Sequence, residues 1–138
     1  MTIKTLLPII NKLKKDKDKY QTGSKFCCSL AMKHGKIIAI AFNCYYKFHP
    51  YYKFGVYKSL RGNNKDWIAS LHSEICLLKK LGQRDDFNKI TIVNIRIDNN
   101  KKVALACPCI NCRKVLQRYD FKKIVYTIDE NELGILSF

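Results

Sequence analysis

Two short segments carry side chains whose types and spacing can do chemistry: His72-Ser73-Glu74, and Pro108-Cys109-Ile110-Asn111-Cys112. The first offers an imidazole nitrogen and, two residues on, a carboxylate. The second offers two thiolates about one helical turn apart. Imidazole and thiolate are preferred zinc ligands, and three protein ligands leave the fourth tetrahedral position for water, as at a catalytic zinc. His72, Cys109 and Cys112 are therefore the candidate ligands of a Zn2+ cofactor. Such a zinc makes bound water acidic enough to yield a hydroxide nucleophile near neutrality. Residues two apart on a helix point in different directions, so Glu74 is read as the proton shuttle rather than a ligand. A competing reading is a structural zinc site that adds Cys107. It would need the awkward chelate Cys107-Pro108-Cys109 and would leave Glu74 without a task.

These groups must be held by regular elements. Residues 2–20 read as a helix with apolar Leu6, Leu7, Ile9, Ile10 and Leu13. Segments 25–33 and 36–43 are strand-like and flank His34-Gly35, the pattern of a tight hairpin. A helix starts near His72 and stops at Gly82. Lys89 to Asp98 is the clearest strand, residues 109–119 are expected to be helical with Pro108 at their start, and Lys123 to Ile128 a further strand. Gly134 to Phe138 is expected to be a terminal strand or a tail. The connection before it is too short for a crossover helix, so that strand should run antiparallel to its neighbour. The order α-β-β-α-β-α-β(-β) defines an α/β fold and sets both motifs at helix N-termini, where free N–H groups favour thiolate over thiol.

The chain has 138 residues, of which 47% are apolar. That suits one domain spanning 1–138 with its own core. No apolar run reaches the length of a membrane span, so no membrane association is expected, and the first residues lack the pattern of a signal peptide. Seven cysteines without a disulfide-framework spacing point to a reducing, intracellular and hence cytoplasmic protein. The formal charge is +15, from 26 Lys and Arg against 11 Asp and Glu. A basic field of that size attracts polyanions and phosphorylated substrates, although a merely solvated lysine-rich surface is the plainer alternative.

With those motifs, the chain resembles the cytidine and deoxycytidylate deaminase superfamily over roughly residues 25–128. The resemblance rests on Ala41-Phe42-Asn43, His72-Ser73-Glu74 and Pro108-Cys109-Ile110-Asn111-Cys112, followed by Lys123-Ile124-Val125-Tyr126. It looks nearest to small phage and viral deoxycytidylate-type deaminases. It implies a cytidine deaminase-like three-layer fold, a mixed sheet of about five strands flanked by helices. It also implies hydrolytic conversion of cytosine to uracil in a nucleoside or nucleotide, Asn43 in contact with sugar or base, and a homo-oligomer. Ser73 stands where the family more often has alanine, a small change that should be tolerated. Cys44 stands where regulated deoxycytidylate deaminases have glycine.

Residues 45–61, YYKFHPYYKFGVYKSLR, interleave aromatic and basic side chains. Aromatic faces stack on bases and cations meet phosphates, so this loop, with His49 and Lys53, is the candidate substrate-binding segment. It serves a mononucleotide or single-stranded DNA or RNA equally well. An aromatic loop packed over the sheet or into a subunit interface is the alternative. Three functions follow: a nucleotide or nucleoside deaminase, a deaminase acting on cytosine or adenine in single strands, and a non-catalytic zinc-stabilised nucleic-acid-binding module.

Overall fold

The computed structural model describes residues 1–17, 26–43 and 72–137. In chain order these form α1 (Ile3–Asp16), β1 (Phe26–Lys33), β2 (Lys36–Phe42), α2 (Ser73–Leu81), a 3-10 turn (Phe87–Lys89), β3 (Ile90–Ile97), β4 (Val103–Ala104), α3 (Ile110–Leu116), β5 (Lys123–Thr127) and β6 (Leu133–Ile135). The sheet runs β2-β1-β3-β5-β6, with β4 also on β3. Among the described residues β3 and β5 pair in parallel and the other pairings are antiparallel. This is the mixed α/β architecture expected from the sequence. Among the described residues no helix is long and apolar enough to cross a membrane.

Residues 34 and 35 make the β1–β2 hairpin. His34 and Gly35 both have positive φ, 52° and 75°, and Lys33 pairs with Lys36. Two left-handed residues match the twist of the flanking strands, which is why a glycine sits there. The final strand is antiparallel to β5, as its short connection requires, but begins at Leu133 rather than Gly134.

The helix after His72 keeps its expected bounds, whereas α1 and α3 are shorter than the sequence suggests. α1 ends at Asp16 within its charged tail. α3 starts after its N-cap Cys109, so Pro108 lies outside the helix rather than in its first turn. Its far end closes with tighter bonds, Arg118 N–H to Val115 O and Tyr119 N–H to Leu116 O, which stop the α-helical ladder at Leu116.

Period-two alternation gives the sheet two apolar faces. On one, Leu6, Ile10 and Leu13 of α1 pack on Phe26, Leu30, Val93 and Ile95. On the other, Ile75, Leu78 and Leu81 of α2 and Val115 and Leu116 of α3 pack on Ala31, Ile90, Ile92 and Ile124. Among the described residues the result is three layers, with α1 on one side of the sheet and the two motif helices together on the other.

Glu130 ties the outer layer to the sheet edge. It accepts from Lys14 of α1 (2.9 Å) and from the Val103 N–H (2.9 Å). Those bonds, the backbone one foremost, hold its carboxyl below the usual range. A depressed folded-state pKa means that the stabilisation is present above the unfolded value of 4.5 and is lost as pH falls through the folded value. Glu130→Gln should therefore lower Tm at pH 7, and the difference should close below pH 4.5 in thermal melts. A pH-independent difference would refute the ion-pair account.

Candidate metal centre and active site

The two strands on β3's outer edge divide it. Thr91 to Asn94 pair with β5, whereas Arg96 and Ile97 pair with β4. Thr127 at the end of β5 ties this junction together. Its hydroxyl donates to Ala104 O (2.8 Å), and its carbonyl accepts from the Ala106 N–H (2.8 Å). The chain leading into the cysteine motif is thereby fixed at the carboxyl end of the parallel pair, where ligands of open α/β sheets bind.

His72 caps α2 with extended backbone (φ −74°, ψ 158°) and Cys109 caps α3 likewise (φ −66°, ψ 166°). The separation of His72 from Glu74 thus comes from the change of backbone at the cap, not from two positions on one helix as the spacing suggested. His72 Nδ1 lies 3.5 Å from Cys109 Sγ and 3.3 Å from Cys112 Sγ. The three ligand atoms all fall within 4.8 Å of one another. Tetrahedral zinc, with bonds of about 2.3 Å to sulfur and about 2.0 Å to nitrogen, places S and N about 3.5 Å apart. The donor set and its spacing therefore fit zinc. Cys107 stands outside the group. Its sulfur accepts from the Arg113 guanidinium (3.0 Å) instead.

The thiols differ in proton affinity. Cys109 is brought down to about 3, chiefly by the hydrogen bond from the Cys112 thiol, with His72 and the Cys112 N–H adding to it. Cys112 is correspondingly raised, first as the donor in that bond and then by burial. One thiolate is thus available to hold zinc, and binding would displace the proton of the second. None of the six described cysteines, of seven in the chain, forms a disulfide, and among them Cys28 and Cys112 are fully buried.

Glu74 is buried in the first turn of α2, and burial pushes its carboxyl above the ordinary value. It shares one cleft with His72, Cys109 and Asn43. Asn43 follows β2, where its N–H donates to Cys27 O (3.2 Å) and its Oδ1 accepts from the Cys27 N–H (3.0 Å). His49 and Lys53 lie outside the described residues, as does the aromatic-basic segment 45–61. Sequence reasoning missed Arg96 and Asn94, which also line the cleft. Arg96 Nε is buried and makes no hydrogen bond among the described residues. The available signal was a polar residue at every second position late in an otherwise apolar strand.

A zinc-ready His/Cys/Cys group at the caps of two helices, with a buried carboxyl beside it on a mixed sheet, defines a zinc-dependent hydrolytic deaminase. The model of the cytidine and deoxycytidylate deaminase zinc-binding region matches residues 3–128, and the chain belongs to that family, with Zn2+ as its cofactor. No curated protein and no solved structure matches the chain significantly.

Proposed function

We propose that the protein, as one deaminase domain, converts cytosine to uracil in a nucleotide, with His72, Cys109 and Cys112 as zinc ligands and Glu74 as the proton carrier. The observation that carries this is the convergence of those three donors at tetrahedral separations beside a buried Glu74. When bound, zinc supplies an acidified water as nucleophile. Glu74 takes a proton from that water and passes it to the ring nitrogen next to the reacting carbon. As the carbon–oxygen bond forms and the carbon–nitrogen bond breaks, the second proton of water leaves on ammonia. Asn43, which lines the cleft, orients the sugar or base, and His49 and Lys53 are the further candidates for binding the substrate.

Arg96 supports a phosphorylated substrate, because a cation lining the cleft with an unpaired buried Nε suits an anionic group. The test is turnover of deoxycytidylate, deoxycytidine, cytidine and cytosine-bearing single strands by zinc-loaded protein. Arg96→Gln should raise KM for deoxycytidylate about 10-fold or more, the loss of one charged hydrogen bond, and leave that for deoxycytidine unchanged. Equal effects on both would assign Arg96 to the base or sugar. The net charge of +15 favours a second reading, a deaminase of single strands; conversion of oligomers alone would establish it.

A further inference from the structure

Behind Glu74 the sheet turns polar on the face that is apolar elsewhere. On β3 this face carries Ile90, Ile92 and then Asn94. On β1 the matching positions are Ala31 and Ser29, with Ser29 the Cα partner of Asn94. Ser29 Oγ lies 2.7 Å from Asn94 Oδ1 and 2.8 Å from Ser73 Oγ, and Ser73 Oγ lies 2.9 Å from Glu74 Oε1. Ser29 is 0% exposed, Ser73 1%, Asn94 3% and Glu74 7%. Four buried polar side chains thus run unbroken from the middle of the sheet to the candidate proton carrier.

We propose that Asn94, Ser29 and Ser73 form a positioning chain for Glu74, fixing its Oε1 so that proton traffic passes through Oε2. The inference rests on the reading of Glu74 as proton carrier. A carboxyl on the first turn of a helix can rotate about its own side-chain bonds. A bond to Ser73 restrains that rotation only if Ser73 is itself held, and the contacts to Ser29 and on to Asn94 hold it. Buried polar groups are costly unless bonded, and an all-apolar row would satisfy packing at these three positions. Their cost is explained if they act on Glu74. Ser73 is then more than a tolerated replacement for alanine.

The experiment compares wild type, Ser73→Ala, Ser29→Ala, the double variant and Glu74→Gln. Each is loaded with zinc and assayed for kcat and KM on deoxycytidylate, cytidine and a cytosine-bearing DNA strand, with zinc content and Tm measured alongside. Ser73→Ala and Ser29→Ala should each lower kcat about 3- to 20-fold, the range set by one lost hydrogen bond. KM should stay within about 2-fold and zinc content should match wild type. The double variant should be no slower than Ser73→Ala, because Ser29 acts through Ser73. Should one single variant fail to fold, the other carries the test. Unchanged kcat in both single variants with Glu74→Gln inactive overturns the chain and spares the reading of Glu74. An active Glu74→Gln overturns both. Additive losses, or a change in KM alone, also overturn the chain.

Discussion

Glu74→Gln should keep its zinc and lose its turnover. The amide matches the carboxyl in shape but cannot carry a proton from water to the substrate ring. Removing a positioned general acid–base lowers rate by about 10²- to 10⁴-fold. KM should change little, because the same surface remains in the cleft. Stability should move the other way. Burial raises the Glu74 carboxyl above 4.5, so the folded metal-free protein binds that proton more tightly than the unfolded chain. Its contribution to stability falls as pH rises from 4.5 through the raised value, so at pH 7 keeping that carboxyl buried is a net cost. Glu74→Gln should therefore raise Tm of the metal-free protein at pH 7, with no difference below pH 4.5. Turnover within a few fold of wild type would remove Glu74 from the mechanism.

Loss of a ligand should cost both metal and fold. Cys112→Ser deletes a thiolate from the His72/Cys109/Cys112 group and leaves a hydroxyl at a position with 0% exposure. Zinc content should drop from about one per chain to near zero, and turnover with it. Zinc present at about 1,000 times its Kd stabilises the folded state by about 4 kcal/mol. At about 3 °C per kcal/mol for a chain of this size, Tm should fall by about 10 °C or more. Cys107→Ser is the control. Its sulfur contacts Arg113 rather than the ligand group, so zinc should stay bound. Loss of zinc from Cys107→Ser, measured by metal analysis, would reinstate the four-ligand structural site.

Much of this was legible because it is local. Two-residue turn chemistry at His34-Gly35 fixed the hairpin, and an eight-residue β-rich run marked β3. The zinc residues announced themselves by type and spacing, before any contact between them was known. Strand order, and which strand edge β4 and β5 share, came only with the three-dimensional register. Ser29 and Asn94 illustrate the limit. Each looks like an ordinary polar residue in a strand, and only the β1–β3 pairing puts them side by side under Ser73. Thr127 is similar, since its bonds to Ala104 and Ala106 span more than 20 residues. The reading of His72 and Glu74 as two positions on one helix failed for a related reason. Spacing alone does not reveal that the first is a cap in extended backbone.

The cleft is assembled from β1, the end of β2, the start of α2, the end of β3 and the cap of α3. No two neighbouring elements make it. Its floor depends on β1 meeting β3, and its two ligand-bearing caps come together only when both helices lie on the same side of that sheet. Such non-local pairings are paid for in loop-closure entropy before any contact rewards them, and they slow folding. A chain that has formed only α1 and the β1–β2 hairpin has not yet brought His72 beside Cys109 and Cys112. Competence to hold the metal is then a late folding event, and the rate of zinc uptake by refolding protein becomes a clock for completion of the β1–β3 ladder.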